Sequence, residues 1–178
     1  GGDGMECIID PTNENIMYSS VYYGAISKST NGGGSFNDIS PANDGAWVTP
    51  YVLDPSNPNR IIAGYTEVWE STDGGTSWNT LTNGQAGGTI DAIAVSKSNG
   101  NVIYFSEYND IYVTDDNGAT WTDITNGLPN RSISYIAIDP NNSDKAWITY
   151  SGFGNGQKVY KTTDRGNSWS NISAGIPN

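Results

Sequence analysis

The feature that most constrains this chain is an eight-residue pattern, Ser/Thr-x-Asp-x-Gly-x-x-Trp, that returns along its length. Complete copies occupy residues 71–78, 114–121 and 162–169, and a degenerate copy occupies 29–36. In the degenerate copy Asn31 replaces the Asp and Phe36 replaces the Trp. Recurrence at a nearly fixed period predicts a chain built of like units that stack to form a shared core.

Each octet follows an apolar run and precedes a short polar-alternating run, which predicts the turn of a β-hairpin. An Asp side chain can accept hydrogen bonds from its own loop, and glycine supplies the positive φ that a tight turn needs. The Trp ring is large enough to wedge the turn against its surroundings. We therefore expect structural roles for Ser29, Asn31, Gly33, Phe36, Ser71, Asp73, Gly75, Trp78, Thr114, Asp116, Gly118, Trp121, Thr162, Asp164, Gly166 and Trp169.

The stretches around the octets divide into four units of four short strands each, at about residues 5–40, 47–82, 89–125 and 133–174. The predicted strands are 5–10, 16–20, 25–29 and 36–39; 47–54, 60–64, 68–71 and 78–81; 90–96, 102–106, 111–114 and 121–124; and 133–139, 146–150, 159–162 and 169–172. An Asp-Pro turn closes the first strand at Asp10, Asp54 and Asp139. The last unit is lengthened by a glycine-rich insertion at 151–157.

The octets resemble Asp-box repeats, also called BNR repeats, of sialidases, sortilin-type receptors and xyloglucan-cleaving glycoside hydrolases. The resemblance implies an all-β fold, a β-propeller in which the box joins the third and fourth strands of each blade, opposite the functional face. The whole chain would then be one propeller segment of four consecutive four-stranded antiparallel blades. We favour an arc of a larger propeller of about 7–10 blades, although four units can also close into a ring.

Charge and composition exclude several classes of function. The net charge is −11, with 8 Lys+Arg against 19 Asp+Glu, so nucleic acid is not an expected partner. No apolar run is long enough for a membrane span. There is one cysteine and no histidine, which excludes an internal disulfide, a His-based triad and a His metal site. Residues 115–118 lack the ligand spacing of a calcium loop, so we expect neither a metal nor a cofactor.

Candidate ligand-binding residues lie in the loops between second and third strands. They are Tyr22, Tyr65, Glu67, Glu107, Tyr108 and Phe153. Aromatic faces beside carboxylates suit a sugar polymer, because C–H faces stack on rings and hydroxyls donate to acids. The alternative is that these aromatic residues only cover the edges of the blades.

The function that we expect is a non-catalytic binding or scaffold module with a glycan or protein ligand. The alternative is a segment of a glycoside hydrolase acting on a polysaccharide. Its pair of carboxylates could come from Glu67, Asp91, Glu107 and Asp110, although none of them matches a catalytic motif of the xyloglucan-cleaving family. A sialidase centre is not expected, because Arg60 and Arg165 belong to the box end and leave only Arg131 near the loops. The runs at 1–11 and 45–55 are similar to large secreted propeller proteins of Bacteroidetes. This resemblance implies a bacterial secreted or cell-surface protein, exported by type IX secretion, with further blades or domains as partners.

Overall fold

The computed structural model describes residues 2–153 and 156–177, and its regular structure is almost wholly β. The strands, in four groups, are β1 Gly4–Ile9, β2 Met17–Val21, β3 Ala25–Ser29 and β4 Asn37–Asp38; β5 Tyr51–Asp54, β6 Asn57–Gly64, β7 Val68–Ser71 and β8 Asn79–Thr80; β9 Ala92–Val95, β10 Ile103–Glu107, β11 Asp110–Thr114 and β12 Thr122–Asp123; and β13 Ile133–Asp139, β14 Asn142–Tyr150, β15 Val159–Thr162 and β16 Ser170–Asn171. We call these groups blades 1 to 4. A 3-10 turn at Tyr22–Gly24 interrupts blade 1.

Each blade is one antiparallel sheet whose strands pair in chain order. In blade 1, for example, Tyr18 of β2 pairs with Lys28 of β3, and Lys28 pairs with Asn37 of β4. The fourth strand contributes only two residues in every blade. The prediction of four consecutive four-stranded antiparallel blades is therefore confirmed.

The chain divides into two compact units, Gly1–Ile90 with blades 1 and 2 and Asp91–Asn178 with blades 3 and 4. In the first unit a core forms around Tyr18 and Ile26 of blade 1 and Ile61, Ala63 and Tyr65 of blade 2, which are all almost fully buried. In the second unit the core contains Tyr104 and Ile111 of blade 3 and Ile136, Ile148 and Tyr160 of blade 4. Burial of these apolar faces between neighbouring sheets is what holds each unit together.

The octets form the turns between the third and fourth strands, and the three complete copies share one hydrogen-bond scheme. The hydroxyl of the first residue accepts from the backbone N–H of the glycine, at 2.8 Å for Ser71 and Gly75, and donates to the Asp carboxylate, at 2.8 Å for Asp73. The carboxylate accepts from the backbone N–H of Ser77 at 2.9 Å and from its hydroxyl at 2.7 Å. These bonds support the structural role expected for the octets.

The degenerate first octet keeps most of this scheme. Asn31 accepts from the Ser29 hydroxyl and from the backbone of Ser35, both at 2.9 Å, and its amide donates to the Ser35 hydroxyl at 3.0 Å. Asn is therefore a sufficient substitute for Asp within the turn. Phe36, in contrast, has no indole N–H and is 45% exposed.

The strand boundaries differ from the predicted ones where turn chemistry decides them. β6 and β14 begin at Asn57 and Asn142, earlier than predicted, because the Asp-closed turn before each is tight and pairing resumes at once. β5 begins at Tyr51 and not at position 47, since Pro50 has no N–H to give to a sheet ladder. Trp47 consequently lies in the linker between blades 1 and 2.

Candidate functional site

The two ends of the blades in the first unit have different chemistry. At one end the octet turn meets the start of the second strand, where the Gly74 N–H donates to the Asn59 carbonyl at 2.8 Å. At the other end the loops between second and third strands meet the linker at 40–50. There Tyr23 N–H donates to the Trp47 carbonyl at 3.4 Å, and the Thr66 hydroxyl donates to Asp44 at 2.6 Å.

Three aromatic rings form a cluster at this loop end, which we call the aromatic platform: Tyr22, Tyr23 and Trp47. The rings of Tyr22 and Trp47 are stacked, with centroids 5.2 Å apart and an interplanar angle of 15°. Tyr23 meets Trp47 edge to face at 5.3 Å. The side chains remain 36%, 50% and 50% exposed. Exposed aromatic surface of this extent, held rigid by ring contacts, is typical of a binding surface.

Tyr65 differs from the prediction that it lines a ligand site, because it is completely buried. Its hydroxyl donates to the Gly24 carbonyl, so the ring lies beneath the loop that carries Tyr22 and Tyr23. Gly24 has a φ of 78°, and a Cβ there would lie 2.3 Å from the Tyr65 ring. Burial raises the pKa of Tyr65. This tyrosine supports the aromatic platform and offers no face to a ligand.

The carboxylate of Glu67 is held by its own chain. It accepts hydrogen bonds from the Thr82 hydroxyl and from the Gly84 N–H, the latter at 2.7 Å. Both partners lie at the start of the linker that leaves blade 2. Glu67 therefore anchors the linker that leaves blade 2. A different carboxylate, Asp44, is brought to the same end of the unit by the linker at 40–50.

In the second unit, Glu107 and Tyr108 lie at the corresponding hairpin between β10 and β11. Tyr108 is 60% exposed, and its backbone N–H donates to Asp91 at 2.8 Å while its carbonyl accepts from Ile133 at 2.7 Å. Glu107 is half-buried opposite Asp110 in the hairpin register. The backbone of this loop is fixed and the tyrosine ring points outward.

Phe153 lies in the insertion of blade 4 and is 93% exposed. The Lys158 ammonium lies 5.9 Å from its ring centroid. Arg131 donates to the carbonyls of Ser151 at 2.7 Å and Gln157 at 3.1 Å, and so ties the two sides of the insertion together. Residues 154 and 155 of the predicted insertion lie outside the described residues.

The three arginines are engaged in structural contacts. Arg60 is buried and pairs with Asp54 and Glu70, both at 2.7 Å. Arg165 pairs with Asp115 and with Asp144, the latter at 2.8 Å. These two arginines lie at the octet end, and Arg131 binds backbone carbonyls. None of them belongs to a convergent arginine cluster of the kind that holds a substrate carboxylate.

A cleft of about 440 Å³ opens at the octet end of the second unit, between blades 3 and 4. It is lined by Asp115, Asp144 and Asp164 together with Arg165, whose ion pairs cross it. Over residues 2–153 and 156–177, the acidic and cysteine side chains form no group of three suited to a metal ion.

Most of the carboxyl groups with a shifted pKa lie in octets and in Asp-closed turns, and Asp38, beside the linker at 40–50, has a pKa lowered by hydrogen bonds from Ser40. Hydrogen bonds from Ser77 and Ser71 lower the pKa of Asp73 to about 2, and those from Thr114 and Thr120 lower the pKa of Asp116 to about 2. Hydrogen bonds from Ser168 and Thr162 lower the pKa of Asp164 in the same way. A general acid needs a raised pKa, so these turn carboxylates are unsuited to that role.

Sequence reasoning missed Trp47 and Tyr23, which complete the aromatic platform. Of the residues that it proposed, Tyr22 belongs to the platform, Tyr65 supports the loop that carries Tyr22 and Tyr23, and Glu67 anchors the linker that leaves blade 2. Tyr108, Glu107 and Phe153 belong to the second unit, where the hairpin and the insertion are separate loops. The signal that was available for Trp47 is Pro50, which predicts that the preceding residues form a linker.

Comparison with known proteins identifies the architecture. The model of the family described as Sortilin, neurotensin receptor 3 (Sortilin-Vps10) matches residues 109–178. Among solved structures, an ancestral GH74 enzyme superposes with a TM-score of 0.74 at 22% identity, covering 99% of this chain and 25% of that one. The chain has a β-propeller fold. The resemblance to sortilin-type and xyloglucanase-like propellers is thus confirmed for the fold.

Two further solved structures have the same fold. The GH74 xyloglucanase of Xanthomonas campestris gives a TM-score of 0.69 at 18% identity, with 96% of this chain and 30% of that one covered. An auxiliary nutrient binding protein of Bacteroides thetaiotaomicron gives a TM-score of 0.65 at 13% identity, with 90% of this chain and 38% of that one covered. This chain therefore spans about a quarter to two fifths of the length of these three structures. No curated protein sequence matches it.

The part of the chain that the structure describes contains no helix long and apolar enough to cross a membrane.

Proposed function

We propose that this chain is a non-catalytic, glycan-binding part of a β-propeller that acts outside a bacterial cell. The observation that carries the proposal is the aromatic platform of Tyr22, Tyr23 and Trp47. Its rings are exposed, and their mutual contacts fix their orientation before a ligand arrives, which reduces the entropy lost on binding.

The surroundings of the platform support a sugar ligand. Flat rings stack on the C–H faces of pyranose units, and Asp44 at the same loop end can accept hydrogen bonds from sugar hydroxyls. Structurally similar chains include a nutrient binding protein and a xyloglucanase, according to their descriptions. In this proposal β-linked polysaccharide is the ligand class.

The alternative is a segment of a glycoside hydrolase, favoured by the GH74 enzymes among the similar structures. Such an enzyme needs two carboxylates about 5–10 Å apart across the scissile bond, with the acid partner raised in pKa. The carboxyl groups with shifted pKa values all have a lowered pKa, and they lie in octets, in Asp-closed turns and, for Asp38, at the end of β4. We favour binding without hydrolysis because the exposed rings of the aromatic platform offer a ligand a preformed surface.

Binding isotherms with cello-oligosaccharides and xyloglucan oligosaccharides test the proposal. We expect Trp47→Ala to weaken binding about thirtyfold, since truncating an aromatic hot spot costs about 2 kcal/mol. The matched control is Tyr135→Ala, which removes a ring that is 67% exposed in the other unit. Equal affinities of Trp47→Ala and wild type would refute the platform as the site.

A second variant tests how the platform is held. Tyr65→Phe keeps the buried ring and removes only the hydroxyl that donates to Gly24. We expect affinity to fall several-fold and the melting temperature to fall by about 2–4 °C, because losing one hydrogen bond costs about 1 kcal/mol. Release of reducing sugar from the same polysaccharides by the wild-type chain would favour the hydrolase instead.

A further inference from the structure

The sequence contains six Asn-Gly pairs, and each of them is a potential site of self-modification. The backbone nitrogen of such a glycine lies close to the side-chain amide of the asparagine before it, and glycine has no Cβ to obstruct their approach. The five pairs within the described residues begin at Asn31, Asn83, Asn99, Asn117 and Asn126. Since the glycine nitrogen must reach the side chain, its hydrogen bonds decide which of these pairs can react.

The reaction is a deamidation with water as its co-reactant. The glycine nitrogen loses its proton to solvent and attacks the Cγ of the asparagine, and the bond from Cγ to the side-chain nitrogen breaks. Ammonia leaves with a proton taken back from solvent. A water molecule then opens the cyclic imide: opening at Cγ gives an aspartate, and opening at the main-chain carbonyl gives an isoaspartate, whose backbone runs through Cγ. Either product has a carboxylate where the asparagine had a neutral amide.

In three of the five pairs a hydrogen bond holds one of the two reacting groups. The bonds run from the Gly32 N–H to the Asn15 carbonyl at 3.0 Å, from the Gly118 N–H to the Thr114 hydroxyl at 2.9 Å, and from the Asn101 N–H to the Asn99 side-chain oxygen at 3.2 Å. A group held in this way must break its bond before the nitrogen and Cγ can meet, which slows the reaction.

The two remaining pairs, at Asn83 and Asn126, occupy equivalent places in the fold. Both belong to a Thr-Asn-Gly tripeptide in the turn that follows the fourth strand of a blade. The backbone bond that closes this turn measures 3.0 Å in residues 82–85 and 3.1 Å in residues 125–128. The asparagine and the glycine are exposed in both turns. Neither local sequence nor access to water therefore distinguishes the two pairs.

The hydrogen bonding of the glycine N–H does distinguish them. Gly84 donates to the Glu67 carboxylate at 2.7 Å. That carboxylate also opposes loss of the proton, because a deprotonated nitrogen beside it would place two negative charges together. Within residues 2–153 and 156–177, the Gly127 N–H and the Asn126 side chain make no hydrogen bond. Asn126 is thus the described asparagine whose two reacting groups are both free.

We propose that Asn126 is a self-modifying site that deamidates in the folded protein, and that Glu67 protects Asn83 from the same reaction. The product carries a new negative charge in the linker between blades 3 and 4. In the isoaspartate product the backbone of this linker also gains a carbon, two residues before Leu128, which packs against the core of the second unit. The chemistry of this linker therefore changes with the age of the protein, independently of any ligand.

The first test is peptide mapping by mass spectrometry after incubation of the folded chain at mildly alkaline pH. We expect Asn126 to deamidate at least about tenfold faster than Asn83, a factor that corresponds to about 1.4 kcal/mol and to the weaker hydrogen bonds to charged groups. In denaturant the two sites should react at similar rates, because the tripeptide around them is the same. Equal rates at the two sites in the folded chain overturn the proposal.

The second test removes the protection at Asn83. Glu67→Ala should raise the rate at Asn83 roughly tenfold and leave the rate at Asn126 unchanged. Glu67→Gln keeps an oxygen acceptor without the charge and should give a smaller increase, and it serves as the test if Glu67→Ala fails to fold. A rate at Asn83 that stays at the wild-type value in a folded Glu67 variant overturns the protective role.

Asn126→Ala is the matched control, because the corresponding turn at 173–176 has Ala174 at this position and is closed by a bond of 3.1 Å. This variant should lose the fast phase of deamidation and melt with wild type. A fast phase that persists in Asn126→Ala would place the reactive asparagine elsewhere and overturn the assignment.

Discussion

Replacing Trp78 in two steps separates the hydrogen bond of the octet tryptophan from its packing. Trp78→Phe keeps most of the apolar ring and removes the N–H that donates to the Ile39 carbonyl at 2.8 Å. The net loss of such a bond is about 1 kcal/mol, because water can reach the half-buried carbonyl. For a chain of this size we expect the melting temperature to fall by about 2–4 °C.

Trp78→Ala removes the ring as well. Complete burial would make this change cost about 3–5 kcal/mol, but Trp78 is half-buried against the core of the first unit, so we expect about 3 kcal/mol. The corresponding fall in melting temperature is about 6–12 °C.

The assay is thermal unfolding followed by circular dichroism, with oligosaccharide binding measured on the same samples. Trp47→Ala is the matched control, since this tryptophan is half exposed and outside the octets; it should lower affinity and leave melting almost unchanged. A Trp78→Phe protein that melts with wild type would refute the importance of the indole bond. Lost binding with unchanged melting would refute the structural role of the octets.

Two further predictions concern charge. The folded-state pKa of Asp73 and of Asp116 is about 2, below the ordinary value of 3.8. The stability that these ionised carboxylates contribute is therefore present above about pH 4 and is lost as the pH falls towards 2. Between pH 4 and pH 2 the melting temperature of Asp73→Asn, which places an Asn where the first octet has Asn31, should fall less steeply than that of wild type. Arg60→Ala removes the cation that pairs with the buried carboxylates of Asp54 and Glu70. It should lower the free energy of unfolding in urea by about 3–5 kcal/mol. The triple variant Arg60→Met, Asp54→Asn, Glu70→Gln, which also removes both charges, should recover much of that stability. A single Arg60→Ala variant as stable as wild type would contradict the second prediction.

The fold could be predicted from the sequence because its signals are local and repeated. The octet fixes a turn through bonds among its own residues, such as Ser71 with Asp73 and Gly75, and each copy marks the same hairpin. The Asp-closed turns likewise depend on bonds two residues apart, as between Asp54 and Ser56 at 2.7 Å. Three complete octets with a degenerate fourth, in phase with three Asp-closed turns, leave little freedom in the order of strands.

The candidate site was harder to predict from the sequence, because contacts between residues far apart in the chain determine which side chains are exposed there. Tyr22, Tyr65 and Tyr108 occupy similar places in their hairpins, yet Tyr65 is buried because Gly24, 41 residues away, accepts its hydroxyl. The sequence predicts that Trp47 belongs to an apolar strand. Its place in the platform is visible only in the structure, where its ring stacks on Tyr22. Neither contact leaves a periodic trace in the sequence.

The indole–carbonyl bond between blades also decides where a mutation does its damage. Because Trp78 and Trp169 each bond to the end of the preceding blade, replacing either one loosens a hairpin some 40 residues upstream in addition to its own. Part of the structural damage then lies in a different repeat from the substituted tryptophan. In a screen of damaging substitutions, those at octet tryptophans should therefore resemble substitutions in the preceding repeat as well as those in their own.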